Sequence, residues 1–277
     1  MERLIAKADI LIEALPYIRK FSGKTFVVKF GGKAMLEASF KESVVEDIAL
    51  LKYIGVNTLV VHGGGPEISA AMKKTGIEPK FVNGLRVTDK ETMRIVEEVL
   101  MGKVNKEIVL LFKKHHGKAE GFSGKEHGLI KARQLAPELG FVGEIESVDL
   151  SFLKDKNDYI HVIAPIGRGK NGESYNINAD DAAAEIAIAA KAEKLLILTD
   201  VNGVLDSDRK LLPTIHLAEV TKLVKDGVLA GGMIPKVTGA ASAVKRGVKK
   251  VHIINGNIKH SLLLEIFTDK GIGTEIL

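Results

Sequence analysis

The sequence predicts an α/β protein, a three-layer αβα sandwich around a central, open and largely parallel sheet. Mostly apolar runs of strand length recur at residues 25–30, 58–62, 159–163, 195–199 and 251–254. They are near-continuous stretches of Val, Ile and Leu rather than alternating ones, the pattern of strands covered on both faces. Helical patterns separate most of them, and parallel neighbours need such crossovers.

The elements follow in order. Apolar residues at Leu4, Ile5, Ala8, Leu11, Ile12, Leu15 and Ile18 form a helical stripe over residues 2–19. Pro16 predicts a kink or a second short helix within it, because it lacks an amide hydrogen and clashes with the preceding turn. The stripe has two homes open to it, the chain's own core or a neighbouring subunit. After the first strand come a helix over 36–54, a strand over 58–62 and a helix over 67–74. Residues 89–115 read as one long helix with Thr88 or Asp89 as its cap. The Gly-rich, alternating stretch 118–146 predicts short antiparallel strands or hairpins. Strand and helix then alternate again: strand 159–163, helix 179–192, strand 195–199, helices around Glu219 and Val237, strand 251–254 and helix 260–267. Residues 167–176 are either a junction between two lobes or a hairpin.

Composition narrows the chemistry. Apolar residues make up 45% and charged residues 27% of the 277, which excludes a disordered or fibrous chain. There is no cysteine, so disulfides, thiolate metal sites and Cys nucleophiles are all excluded. No apolar run reaches the ~20 residues of a membrane span. Glu2, Asp9 and Glu13 interrupt the N-terminal stripe, unlike a signal peptide, so a cytoplasmic protein is expected. The formal charge of +5 is dispersed, and aromatic residues are only 5% without tryptophan. Small anionic ligands explain such a surplus as well as nucleic acid does.

The motifs lie at strand ends, where ligands sit in open α/β sheets. Lys29-Phe30-Gly31-Gly32 sets a cation beside two glycines that let backbone amides approach an anion. His62-Gly63-Gly64-Gly65-Pro66 places three glycines between a buried strand and a Pro-opened helix, a second anion cradle. Asn83-Gly84-Leu85-Arg86-Val87-Thr88 presents one Arg on a glycine turn, suited to bidentate carboxylate binding. In Asn176-Ile177-Asn178-Ala179-Asp180-Asp181 the polar residues are either helix caps or a means of holding a polar substrate and spacing two cations. Thr199-Asp200-Val201-Asn202-Gly203-Val204 and Gly231-Gly232-Met233-Ile234-Pro235-Lys236 add a turn and a second Lys at a helix start. The string Gly167-Arg-Gly169-Lys-Asn-Gly172 matches a dinucleotide fingerprint, but a polar segment follows it instead of a helix. No Walker string occurs, and His115-His116 reads as a solvated helix end.

These motifs, in this order, resemble the amino acid kinase family over about residues 22–277. Members acting on aspartate, carbamate or uridylate share the glycine loops, and the run from Asn83 to Thr88 is similar to that of members acting on N-acetyl-L-glutamate. The resemblance implies transfer of the γ-phosphoryl of MgATP to the side-chain carboxylate of N-acetyl-L-glutamate, the second step of arginine biosynthesis. It implies a helix over 1–22 and a kinase domain over 23–277, with an acyl-amino-acid lobe at 23–170 and a nucleotide lobe at 171–277. By it, Lys29 and Lys236 stabilise the moving phosphoryl group and Asp180 holds both. Gly64, Gly65, Arg86, Asn176 and Asn178 take the acyl amino acid. Gly31, Gly32, Thr199, Asp200, Gly203, Val204, Gly232 and Met233 line the nucleotide, whose phosphates carry the Mg²⁺, so no protein metal ligand is assigned. Lys33 departs from the Asn or Ser that relatives often have.

The resemblance also implies feedback inhibition by arginine, through His252, Glu265 and Gly271, and a homohexamer joined by the N-terminal helix. For Glu265 a solvated helix face is the competing reading. A PII-type regulator is a further partner to test. Two other functions stay open: phosphorylation of N-acetyl-aminoadipate in lysine biosynthesis, one methylene longer, and a non-catalytic nucleotide- or RNA-binding regulator.

Overall fold

The computed structural model describes residues 1–31, 37–156 and 158–277. Gly32 and Lys33, and the first residue of the helix expected over 36–54, lie outside the described residues.

The strands in chain order are β1 (Thr25–Phe30), β2 (Asn57–His62), β3 (Phe81–Val82), β4 (Leu85–Arg86), β5 (Ala119–Ser123), β6 (Ile130–Gln134), β7 (Gly143–Val148), β8 (Ile160–Ala164), β9 (Ile166–Arg168), β10 (Ser174–Asn176), β11 (Lys194–Thr199), β12 (Thr214–Ile215), β13 (Lys250–Asn255) and β14 (Thr274–Ile276). The helices are α1 (Glu2–Phe21), α2 (Ala38–Tyr53), α3 (Gly65–Lys74), α4 (Lys90–Glu97), α5 (Lys106–Lys114), α6 (Ala179–Ala189), α7 (Leu217–Lys225), α8 (Met233–Lys245) and α9 (Ser261–Ile266).

The main sheet runs β12-β14-β13-β11-β1-β2-β8-β5. Its central pairs are parallel, and β14 runs antiparallel to β13. Strand order reverses at β1, which lies between β2 and β11, so their carboxyl ends open a crevice at a topological switch point. Side chains alternate across this sheet and build two cores. Phe26, Val28 and Phe30 of β1 pack with α2, α4, α5 and α9 on one face. Val27 packs with α6, α7 and α8 on the other. The period of two therefore sends Lys29 toward α6 and α8, and His62 of β2 toward the α4–α5 side.

Four elements correct the expectation or decide between its alternatives. α1 passes through Pro16 as one helix of 20 residues. Leu4, Ile5, Ile10, Leu11, Ile12 and Leu15 stay 46% to 70% exposed, so this stripe does not enter the chain's own core. β5, expected in a hairpin, pairs parallel with β8 at the sheet edge. Gly121, one of the glycines of that stretch, marks a close approach, since a Cβ there would overlap Oδ1 of Asn105. The helix expected over 89–115 is continuous but changes period, with a π-helical stretch at Glu98–Asn105 between α4 and α5. Its cap is Asp89, which accepts from the Thr92 amide at 2.7 Å. Residues 166–176 are the antiparallel hairpin β9–β10, in a smaller sheet with β6 and β7.

Candidate active site

Lys29 leaves β1 next to Gly31, where a Cβ would stand 2.9 Å from the Lys29 ammonium nitrogen. The missing side chain gives that ammonium its room. Its Nζ lies 2.9 Å from Oδ1 of Asp180, and Nζ of Lys236 lies 2.6 Å from Oδ2 of the same carboxylate. Asp180 sits in the first turn of α6, where the helix dipole favours an anion. Burial pushes the Asp180 carboxyl up, and the ammonium groups of Lys29 and Lys236 more than reverse this, holding it below its usual range. Two cations on one anion leave a positive excess, and the Lys236 and Asp180 side chains remain about a quarter exposed, open to a ligand.

Beside this cluster lies a cleft of about 170 Å³ whose wall brings together Gly64, Gly65, Arg86, Asn176 and Asn178. The glycine loop directs its polar groups. The Gly63 carbonyl accepts from Nδ1 of His62 at 2.7 Å, the Gly64 carbonyl from the Ile68 amide at 2.9 Å and the Gly65 carbonyl from Nη2 of Arg86 at 2.9 Å. The Gly63 amide donates to the Phe30 carbonyl at 2.8 Å. Among the described residues the amides of Gly64 and Gly65 meet no acceptor, which leaves them for an anion at the N-terminus of α3.

Arg86 is only 7% exposed. It also donates to Oγ of Ser69 at 2.8 Å and lies 4.7 Å from the centre of the Phe81 ring. No carboxylate among the described residues pairs with it, and burial lowers its pKa from the usual arginine value. A half-desolvated guanidinium without a counter-ion is a site for a ligand's carboxylate. Nδ2 of Asn176 donates to Oγ1 of Thr88 at 3.1 Å, and that hydroxyl donates to the Arg86 carbonyl at 2.7 Å. Oδ1 of Asn178 caps α6 by accepting from the amides of Asp180 and Asp181, so only its amide nitrogen is left for a ligand.

The segments expected to line the nucleotide divide into two kinds. Gly231 has φ +53° and Gly232 opens α8, and nothing lies within 4 Å of a Cβ built on either, so the backbone there is open. Met233 follows as the first residue of α8. Gly203, at φ +126°, packs against Thr274, whose hydroxyl accepts from the Val204 amide at 2.8 Å. Val204 is 1% exposed and belongs to the core, so it shapes the loop rather than facing a ligand. Thr199 ends β11 with Asp200 next to it, its hydroxyl 3.4 Å from the Asp200 carboxylate. Among the described residues no group of three or more His, Cys, Asp or Glu could hold a metal ion, and no helix is long and apolar enough to cross a membrane.

A model of the amino acid kinase family matches residues 24–255. The chain belongs to the amino acid kinase family. Among its relatives, the acetylglutamate kinase of Carboxydothermus hydrogenoformans is 55% identical over 99% of both chains. That of Aquifex aeolicus is 50% identical over all of this chain and 99% of the other. Among solved structures, N-acetylglutamate synthase from Neisseria gonorrhoeae, in complex with coenzyme A and N-acetyl-glutamate, superimposes with a TM-score of 0.87 at 27% identity. The alignment covers 97% of this chain and 63% of the synthase chain. Carbamate kinase from Giardia lamblia, at 21% identity and TM-score 0.67, shares the fold.

The amino acid kinase fold here also brings together His252, Glu265 and Gly271, away from the strand ends. Nδ1 of His252 lies 2.6 Å from Oε1 of Glu265, and Nε2 lies 2.8 Å from the buried Lys194 ammonium. Burial lowers the Lys194 pKa to about 8. Oε2 of Glu265 accepts from the amides of Ile272 and Gly273 at 2.7 and 2.9 Å. Gly271, at φ +61°, leaves space that a Cβ would take from that carboxylate. The solvated-face reading of Glu265 fails, since the residue is 7% exposed with both oxygens engaged. Sequence reasoning missed Ser69, Met72 and Phe81 around Arg86, because a helix and a hairpin separated in sequence bring them together. Their signal was one of fold, not of motif.

Proposed function

We propose that this chain catalyses ATP-dependent phosphorylation of the side-chain carboxylate of N-acetyl-L-glutamate, forming N-acetyl-L-glutamyl 5-phosphate in arginine biosynthesis. The single observation that carries the mechanism is the Lys29–Asp180–Lys236 cluster beside a cleft that holds open amides and a guanidinium with no carboxylate partner among the described residues. Such a carboxylate is ionised near pH 7, with a side-chain pKa of about 4.3, so no general base is required. The barrier is the meeting of two anions. Arg86 takes the α-carboxylate, and the amides of Gly64 and Gly65 receive the reacting end. Lys29 and Lys236 offset charge on the phosphoryl group as it passes, a role that preorganised donors fill best. Asp180 offsets the repulsion between the two ammonium groups and holds them in place. The donor set around it, ammonium and amide, suits phosphates, which leaves Mg²⁺ to travel with the nucleotide; when bound, it neutralises charge on the phosphate oxygens.

Residues 23–170 form the acyl-amino-acid lobe and 171–277 the nucleotide lobe in this reading, with Thr199, Asp200, Gly203, Gly232 and Met233 along the nucleotide. The enzyme is cytoplasmic and forms a homohexamer through the exposed stripe of α1. Arginine inhibits it at His252, Glu265 and Gly271; because the Glu265 carboxylate is already committed, arginine would have to displace an internal partner. Whether a PII-type protein docks on the assembly is a separate binding measurement. A coupled ADP-release assay with acetylglutamate, glutamate and acetylaminoadipate, each with and without arginine, tests the reading. Turnover greatest with acetylglutamate and reduced by arginine supports it. Equal kcat/KM for acetylaminoadipate would overturn the assignment, since a pocket fitted to the shorter chain should reject one extra methylene by ~1–3 kcal/mol.

A further inference from the structure

The glycine loop exposes its amides because its carbonyls are held elsewhere, and one of those holds depends on a residue outside every motif. Among the described residues Nδ1 of His62 meets only an acceptor, the Gly63 carbonyl, so Nδ1 carries the proton. The ring is fully buried, and burial lowers its pKa to about 4, so it is neutral and has one proton to give. Nε2 must then accept, and its partner at 3.1 Å is Nδ2 of Asn105. The same Nδ2 donates to the Val162 carbonyl at 2.9 Å, which fixes the orientation of the amide. Asn105 is 2% exposed and ends the π-helical stretch, whose Leu100 also presses on the loop: a Cβ on Gly64 would lie 2.5 Å from it. Such widened turns recur at functional sites.

We infer that Asn105 is a positioning residue for the acyl-amino-acid site: by donating to Nε2 of His62 it selects the imidazole tautomer that holds the Gly63 carbonyl, and so keeps the Gly64 and Gly65 amides facing the cleft. The inference deepens the proposed function and rests on it for the substrate, but the tautomer itself can be read without turnover. In protein labelled with ¹⁵N at histidine, the His62 ring, assigned by its loss in His62→Gln, shows a protonated Nδ1 and an unprotonated Nε2 from pH 5.5 to 8.5. A protonated Nε2, or titration within that range, overturns the inference even if acetylglutamate is turned over.

Asn105→Leu keeps the volume and removes the donor. It raises KM for acetylglutamate roughly 10- to 100-fold while KM for ATP stays within about twofold. A wild-type KM in that variant means that Asn105 only fills space, and the inference fails. If Asn105→Leu prevents folding, Asn105→Ala carries the same kinetic comparison and the wild-type spectra stand alone. Wild-type protein that turns over no acetylglutamate yet shows the expected tautomer refutes the substrate and leaves the tautomer control intact.

Discussion

Lys29 and Arg86 are both buried cations beside one cleft, yet they are bound to do different things. Lys29 rests on Asp180, and on the proposed mechanism its charge matters most in the transition state. Lys29→Ala is expected to lower kcat by roughly 10²–10³, the cost of one preorganised donor. Steady-state kinetics that left kcat unchanged would remove it from the mechanism. Arg86 donates from Nη1 to Sδ of Met72 and from Nη2 to the Gly65 carbonyl and Ser69, and among the described residues no carboxylate pairs with it, so on the proposed mechanism it acts on binding. Arg86→Ala should raise KM for the acyl amino acid and leave KM for ATP nearly constant; the reverse pattern would exchange the two lobes. Both residues were legible in the sequence because a glycine turn follows or precedes each at a strand end. Asn105 and Ser69 were not, since a polar residue on a helix carries no mark of the loop it will meet in space.

Among the elements, β1, β2 and β11 could be read almost to the residue, because burial on both faces forces an apolar run that nothing else in the chain imitates. The π-helical stretch and the edge strand β5 escaped for opposite reasons. In the first the apolar spacing shifts within a continuous helix, and in the second half-exposure and Gly121 mimic a turn. The joint between α2 and α9 escaped as well. Asp47 of α2 is 1% exposed, and its Oδ1 lies 2.7 Å from Nδ1 of His260, whose own amide donates to Oγ of Ser43 at 2.7 Å. Burial raises the Asp47 pKa to about 6, against the opposing pull of His260. A carboxyl that binds its proton more tightly folded than unfolded adds stability below its unfolded pKa and loses it as pH rises through about 6. Denaturant unfolding of wild type and Asp47→Asn should therefore show their stability gap moving toward wild type by about 1 kcal/mol between pH 7.5 and pH 5. A gap that is flat over that interval would mean that Asp47 does not titrate there.

At the scale of the whole molecule, the sheet converges three strand ends on one crevice, while α1 stands apart with its apolar stripe in solvent. Large exposed patches of this kind mark interaction surfaces, and each Leu or Ile that a partner covers is worth roughly 1.5–3 kcal/mol. The helix is anchored at its other end. The Tyr17 ring lies 5.9 Å from Phe267, its hydroxyl donates to Asp269 at 2.5 Å, and Phe21 enters the core. Phe267 directly follows α9, which carries Glu265, so whatever seats α1 also bears on the cluster assigned to arginine. Deleting residues 1–20 removes both the stripe and Tyr17. The truncated protein should sediment as a smaller assembly and need more arginine for half-inhibition, with kcat near that of the full chain because no residue of the crevice is lost. If sedimentation velocity returned the full-length mass and the arginine titration an unchanged midpoint, α1 would join no subunits and the coupling through Tyr17 would not exist. A smaller mass with unchanged arginine sensitivity would keep the interface and discard only the coupling.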